Sequence, residues 1–402
     1  MNEQLVVKNF GPIKDATVDF KRVTVFIGPT GGGKSTLAKL AAIFRDSEFF
    51  FTGNEATRAS LVGENLALYA IQNFGQMDSD VSWKSLWLVG GFGGEEGGIR
   101  FSASIQTAFE AQIGPQLQAL SEEYGIITND LFSTGFAVKL GMKSNEAISA
   151  YWKLVSSYFP TLHYIPADRA IAAFVTGAGF QLQSQKAGLA SILIDFLGEF
   201  EMARASLTKQ STFTIPFLDA QYFQMDGQYL VSVKNKLGES IMPLAESASG
   251  FQSVIPMLTV VAFEANRYSA SFIIEEPELN LYPTAQQGLL NWLVEKCTKG
   301  ENDLTITTHS PYILSHLNLL LYAYQVAEQY PDRRAEVAAL VPEASWINPK
   351  EFACYQVENG GVQSLVNEEL GMIDNNELDA LSGDAADAFD NLIRLSKGIA
   401  VK

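Results

Sequence analysis

The chain has 402 residues, 47% hydrophobic and 18% charged, enough apolar material for a core in one large domain or two lobes. A net charge of −17 opposes non-specific adhesion to nucleic acid over most of the surface and leaves only a local basic groove open. No apolar run is long enough to span a bilayer, and the start, MNEQLVVKNF, alternates like a strand, so a cytoplasmic protein with no membrane partner is expected.

Residues 1–27 read as two or three strands, at 5–7, at 16–20 beyond a Gly11-Pro12 turn, and at 23–27, where apolar and β-branched residues suit a buried parallel strand. GPTGGGKST follows, and an apolar-periodic helix runs from Ser35 to about Arg45. Gly28, Gly33, Lys34 and Ser35 satisfy the phosphate-loop pattern, with Thr30, Gly31, Gly32 and Thr36 inside it. Glycines let backbone N–H groups curl inward toward a phosphate. The Lys34 ammonium can reach the β- and γ-oxygens, and the Ser35 hydroxyl suits Mg²⁺. A chance match is opposed by the strand before the loop and the helix after it, which the motif requires.

The glycine-rich stretch 86–106 reads as a hairpin with strands at 86–89 and 99–105, since it lacks the Lys and hydroxyl of a second phosphate loop. Helical spacing at 144–159 and 187–209, interrupted by the strand and turn LHYIPADRA, suggests a short helical arm without coiled-coil heptads. A hairpin is expected over 229–243, turning at Leu237-Gly238. From 271 strand and helix alternate. SFII is a short buried strand, Pro283 opens a helix with Leu289, Leu290, Leu293, Val294 and Cys297 on one face, and LTITT is the next strand. This pattern predicts an α/β protein with a mostly parallel sheet covered by helices. Cys297 and Cys354 lack metal-ligand spacing and read as buried thiols, so zinc is not expected.

SFIIEE has the form of a Walker B strand, in which Glu275 would hold Mg²⁺ and Glu276 would orient or deprotonate the attacking water. Taken alone, EEPE is as easily an acidic turn. Upstream, ESASGFQS offers Ser249 as a cap for a helix starting at Phe251 and Gly250 as a point of close approach to a phosphate; by itself it is an ordinary helix cap. Downstream, TTHSP places His309 at the end of a buried strand, where a lone histidine is more often structural.

The order of these motifs resembles ABC-type ATPase heads, specifically the group containing SMC, RecF and OLD (overcoming lysogenisation defect) proteins. NFGPIKDATVDFKRVTVFIGPTGGGKSTLAKL is similar to the N-terminal half of such heads, and EEPELNLYPTAQQ with TTHSPYIL to the C-terminal half; YIPADR at 164–169 also resembles the group. The resemblance implies a P-loop ABC-ATPase head with a mostly parallel sheet, an antiparallel β lobe and an inserted helical arm. The corresponding divisions are 1–143, 144–210 and 211–402. It implies that Lys34, Ser35, Glu275, Glu276 and His309 act on ATP and Mg²⁺ within one chain, while Ser249 and Gly250 contact the γ-phosphate held by the other subunit of a head-to-head dimer. Asn280 would lie at the dimer interface, and Gln72 or Gln76 would be the Q-loop glutamine. The sequence departs from the family at Ser247-Ala248 before the signature, at Phe251 after it, and at Glu275, where Asp is commoner.

The residues after His309 are too few for the nuclease domain of OLD proteins. Residues 351–393 carry ten Asp or Glu and no Lys or Arg, an acidic surface that is either a solvated helical face or a docking site for a basic partner. Compact heads of this kind resemble the ATPase subunits of bacterial anti-phage systems such as Septu and PARIS. That resemblance implies a homo-oligomer of head-to-head dimers, a separate effector protein (nuclease or toxin) and a nucleic-acid or phage-protein trigger. The alternative is a DNA-repair or recombination ATPase, which would show a basic groove. A transporter ATPase is disfavoured by the long separation of Lys34 from Glu275.

Overall fold

The computed structural model describes residues 3–46, 55–85, 89–93, 98–101, 159–175, 190–207, 212–236 and 238–374, with isolated positions between 115 and 156. Strand β1 (Glu3–Phe10) pairs with β2 (Ile13–Phe20) in a hairpin. Every second side chain, including Leu5, Val7, Ala16 and Val18, faces inward, as the period of a half-buried strand requires. The fully buried β3 (Val23–Ile27) leads through the phosphate loop into α1 (Lys34–Arg45). After α2 (Glu55–Leu68), strands β4 (Gly75–Lys84), β5 (Val89–Gly93) and β6 (Gly98–Phe101) complete a five-stranded antiparallel sheet ordered β2-β1-β4-β5-β6. This is the expected β lobe. Its glycine-rich hairpin is shifted from the expected strands, and the tip at 94–97 lies outside the described residues.

Next come β7 (Thr161–Ile165), α3 (Ser191–Ala205) and an antiparallel sheet of β8 (Thr212–Ile215), β9 (Ala220–Met225), β10 (Gln228–Asn235) and β11 (Gly238–Pro243). The final section comprises α4 (Ser249–Glu264), β12 (Ala270–Glu275), α5 (Pro283–Cys297), β13 (Asp303–Thr308), α6 (Pro311–Gln329), β14 (Phe352–Glu358) and β15 (Gly361–Ser364). The central sheet has the order β15-β14-β3-β13-β12-β7. All its neighbours are parallel except the β14–β15 hairpin.

Two cores flank this sheet. On one face, Val23, Val25 and Ile27 meet the apolar stripes of α3 to α6, including Phe196, Leu258, Leu289 and Leu317. On the other, Phe26 meets α1 and the β lobe, where Phe44 stacks on Trp83 with ring centroids 5.7 Å apart. The phosphate-loop helix is therefore enclosed between two sheets. Cys297 and Cys354 are free thiols buried in the first core.

Two expectations are corrected. Within 144–210, β7 is an edge strand of the central sheet and α3 packs in the main core, so these parts are not an arm. Apolar helical spacing has the same period whether the helix faces a partner helix or a sheet. The 144–159 helix falls mostly outside the described residues. At 351–393, the segment read as an acidic surface begins with β14, whose Phe352 to Val357 are buried beside β3; residues after 374 lie outside the description. The charges sit around a strand whose interior is apolar.

Arg45, in the last turn of α1, fastens these layers. It is 6% exposed and donates to Glu3 at 2.7 Å, Ser271 at 3.0 Å and Asp303 at 3.2 Å, with its guanidinium 4.7 Å from the Phe20 ring centroid. Burial pushes the Asp303 carboxyl up to about 6, and Arg45 opposes that rise. Arg45→Met leaves this carboxylate in the core without its cation. Breaking such a pair costs about 3–5 kcal/mol, so the midpoint of urea denaturation should fall sharply with the slope unchanged.

Candidate active site

The carboxyl ends of β3, β13 and β12 are in register, with Ile27 beside Thr308 and Thr307 beside Glu275. The phosphate loop, the His309 turn and the EEPE turn therefore leave the sheet at one edge, where ligands of open parallel sheets bind. Gly28 has φ 144°, and a Cβ on it or on Gly32 would collide with the Val357 carbonyl of β14. These glycines are thus fixed by packing under the loop. Thr30 and Gly31 are exposed, Ser35 is half-buried and Thr36 is buried beneath the first turn of α1. Lys34 bends back over its own loop and donates to the carbonyls of Gly28 at 2.8 Å and Pro29 at 3.0 Å. Burial lowers its pKa, opposed by Glu276, Glu278 and Glu275.

Glu275 ends β12 with a carboxylate that is 7% exposed; its Oε1 accepts from the Tyr164 hydroxyl at 2.7 Å and its Oε2 from the Ala167 N–H at 3.2 Å. Glu276 has a left-handed backbone, φ 42°, and its N–H donates to the Thr307 carbonyl at 2.9 Å. That conformation is uncommon for a residue other than glycine and persists only where neighbours hold it. It leaves the Glu276 carboxylate 3.3 Å from His309 Nε2, and the Gly28 backbone also acts on the His309 ring. Burial, then Lys34, lowers the His309 pKa, while Glu276 and Gly28 oppose the shift. Lys34, Gly28, Glu276 and His309 thus form one connected set.

Sequence reasoning missed three supports of this set. Glu278, 8% exposed, accepts from the Thr308 hydroxyl and from the His309 N–H at 3.2 Å, pinning the His309 backbone. Burial raises its pKa, and its Oε2 has no hydrogen-bond partner. Tyr164 is the second. The third is Arg169, wholly buried, with five N–H bonds to backbone carbonyls. The signal for the last two was YIPADR, which holds both residues and was noted only as a resemblance.

At α4 the geometry departs from expectation. The helix starts at Ser249, not Phe251, and its N-cap is Ala248, with no side-chain cap. The extended backbone at Ala248 lets its carbonyl accept from Phe251 and Gln252, so the Ser249 hydroxyl is left exposed. A Cβ on Gly250 would lie 2.9 Å from the Asn280 carbonyl of the same chain, so the glycine is required by the turn after EEPE. Asn280 itself has φ 62°. Among the described residues, no hydrogen bond joins Ser249 or Gly250 to the Lys34 set. Gln72 and Gln76 are exposed beside Phe74, and likewise bond none of its members.

The donors suit a magnesium nucleotide. Ser35 and Glu275 offer hard oxygen ligands, and the orphaned oxygen of Glu278 adds a local excess of negative charge. Among the described residues no group of three or more His, Cys, Asp or Glu side chains is spaced to hold a metal. Mg²⁺ bound with phosphates needs only one or two carboxylates.

Residues 181–314 match the family model described as AAA ATPase domain, a span holding α4, the EEPE turn and His309. No curated protein gives a match. Among solved structures the chain is similar to an SMC head domain from Thermotoga maritima, with 11% identity, TM-score 0.37, and coverage of 90% of this chain and 98% of that one. It is also similar to an SmcHead bound to the C-winged helix domain of ScpA, with 13% identity, TM-score 0.38, and coverage of 92% and 99%. A third is an Smc head domain with an extended coiled coil, bound to the C-terminal domain of ScpA derived from Pyrococcus furiosus, with 11% identity, TM-score 0.37, and coverage of 90% and 94%.

Two measurements check this site. Gly250→Ala forfeits the ~1 kcal/mol that this exchange ordinarily adds within a helix, because the new methyl meets the Asn280 backbone; a melting temperature below wild type is expected. The His309 imidazole should titrate below its usual 6.5 by NMR. Glu276→Gln should move it lower still, since Glu276 favours the protonated ring.

Proposed function

We propose that the protein binds and hydrolyses ATP at the carboxyl edge of the central sheet. The observation that carries this reading is the junction of phosphate loop and catalytic turn: His309 lies 3.3 Å from Glu276, and Lys34, bonded to the Gly28 carbonyl, is buried among the same carboxylates. The β- and γ-phosphates lie on the loop, and Lys34 exchanges the carbonyls of Gly28 and Pro29 for phosphate oxygens. Glu276 accepts a proton from the attacking water as its oxygen bonds to the γ-phosphorus and the bond to ADP breaks. A neutral His309 donates to a γ-oxygen. Ser35 and Glu275 would hold Mg²⁺, which would supply charge neutralisation of the phosphates.

The site is completed across a head-to-head dimer, Ser249 and Gly250 of one copy reaching the γ-phosphate held by the other. The exposed Ser249 hydroxyl at the start of a sixteen-residue helix supports this reading. We extend it to control of a separate nuclease or toxin in anti-phage defence, triggered by nucleic acid or a phage protein. The motif order described above supports that extension.

Lys34→Ala should abolish ATP binding, whereas Glu276→Gln should bind ATP and turn over about 10²-fold more slowly or worse. Equal hydrolysis by Glu276→Gln and wild type removes Glu276 from the chemistry. For the dimer, Lys34→Ala and Ser249→Arg should each be inactive. Mixed with free subunit exchange, half the dimers hold one whole site, so about a quarter of wild-type activity should return. No recovery, with exchange confirmed, rules out the shared site.

A further inference from the structure

Arg169 is a cation buried without a direct ion pair among the described residues, an arrangement that costs free energy unless every donor is satisfied. All five of its N–H donors are used, each on a different carbonyl. Nε donates to Ser253 of α4 at 3.1 Å; Nη1 donates to Pro166 at 3.1 Å and Glu275 at 2.6 Å; Nη2 donates to Glu276 at 2.7 Å and Pro277 at 3.2 Å. Three consecutive carbonyls of the EEPE turn are thus fixed to the second turn of α4 by one rigid guanidinium. The left-handed Glu276 residue is held at its N–H by Thr307 and at its carbonyl by Arg169.

We propose that Arg169 is the positioning residue of this site: by gripping the backbone on both sides of the Glu276 side chain, it aims that carboxylate at His309 and ties its placement to the start of α4. Touching neither nucleotide nor water, it acts through Glu276. Lysine cannot replace it, because a single ammonium cannot span five carbonyls in a planar fan. The proposal rests on the ATPase reading, and it ties the Glu276 position to the helix whose first residues that reading assigns to the partner's phosphate.

The test compares Arg169→Lys, and the milder Arg169→Gln, with Arg45→Lys, a buried arginine outside the site. Each is measured for melting temperature, ATP affinity, kcat and KM. Arg169→Lys should keep ATP affinity and KM near wild type while kcat falls about 10²-fold, the scale of a 1 Å misplacement. Its His309 imidazole signal in NMR should shift toward that of Glu276→Gln. Arg45→Lys should lose stability and keep kcat. A kcat that follows melting temperature equally in both arginine series, or an unmoved His309 signal in a folded Arg169 variant, overturns the proposal. If Arg169→Lys is unfolded, Arg169→Gln decides by the same criteria. Wild-type protein that binds ATP without hydrolysing it overturns the ATPase reading, and the proposal with it. Hydrolysis at wild-type rate by a folded Arg169 variant overturns the proposal alone.

Discussion

Register between parallel strands is the constraint on which the site depends. Because β3, β13 and β12 run the same way with matched ends, each continues into the site at the same height: one into the phosphate loop, one into His309, one into Glu275 and Glu276. A slip of one residue in any pair would turn its side chains to the opposite face and break both cores as well as the site. The alternation of Val23, Val25 and Ile27 with Phe26 is what forbids the slip, since each set fills a different core. Packing below the edge thus sets the geometry above it.

Charge at that edge is shared between three carboxylates and two cations. Glu275, Glu276 and Glu278 all act on Lys34 and Arg169, and the two cations differ in freedom. Lys34 is held by two carbonyls of its own loop, whereas Arg169 is enclosed and has exchanged water entirely for backbone. Burial pushes the Arg169 pKa down to about 10, still well above neutral, so its charge persists. One cation is tied to the loop by two bonds, and the other is locked into the scaffold by five.

The parts legible in the sequence were those whose chemistry is local. A strand, a glycine loop and a lysine are adjacent in the chain, as are SFII and its two glutamates, so spacing alone located them. Residues acting over long separations were not legible: Arg169 meets acceptors at 253 and 275–277, and Gly28 and Gly32 are glycines because of a carbonyl at Val357. The 352–358 strand was hidden for a related reason, its buried core being outweighed by flanking acids in a count of composition. Helix α3 matched its apolar period, but a period does not name the surface it will cover. Gly250 was singled out as a point of close approach to a phosphate; the group approaching it in this chain is the Asn280 backbone.

The neighbours of β3 have a consequence for how the protein is made. Residues 23–27 leave the ribosome well before the strands that flank them, residues 303–308 and 352–358. Contacts so distant in sequence close large loops and form slowly. During synthesis the phosphate loop therefore emerges long before the walls that shape it, and its apolar strand waits for partners until those distant strands are made. The loop takes its shape only once those strands have been made, and β3 is a segment that a chaperone holding the nascent chain can shield in the interval.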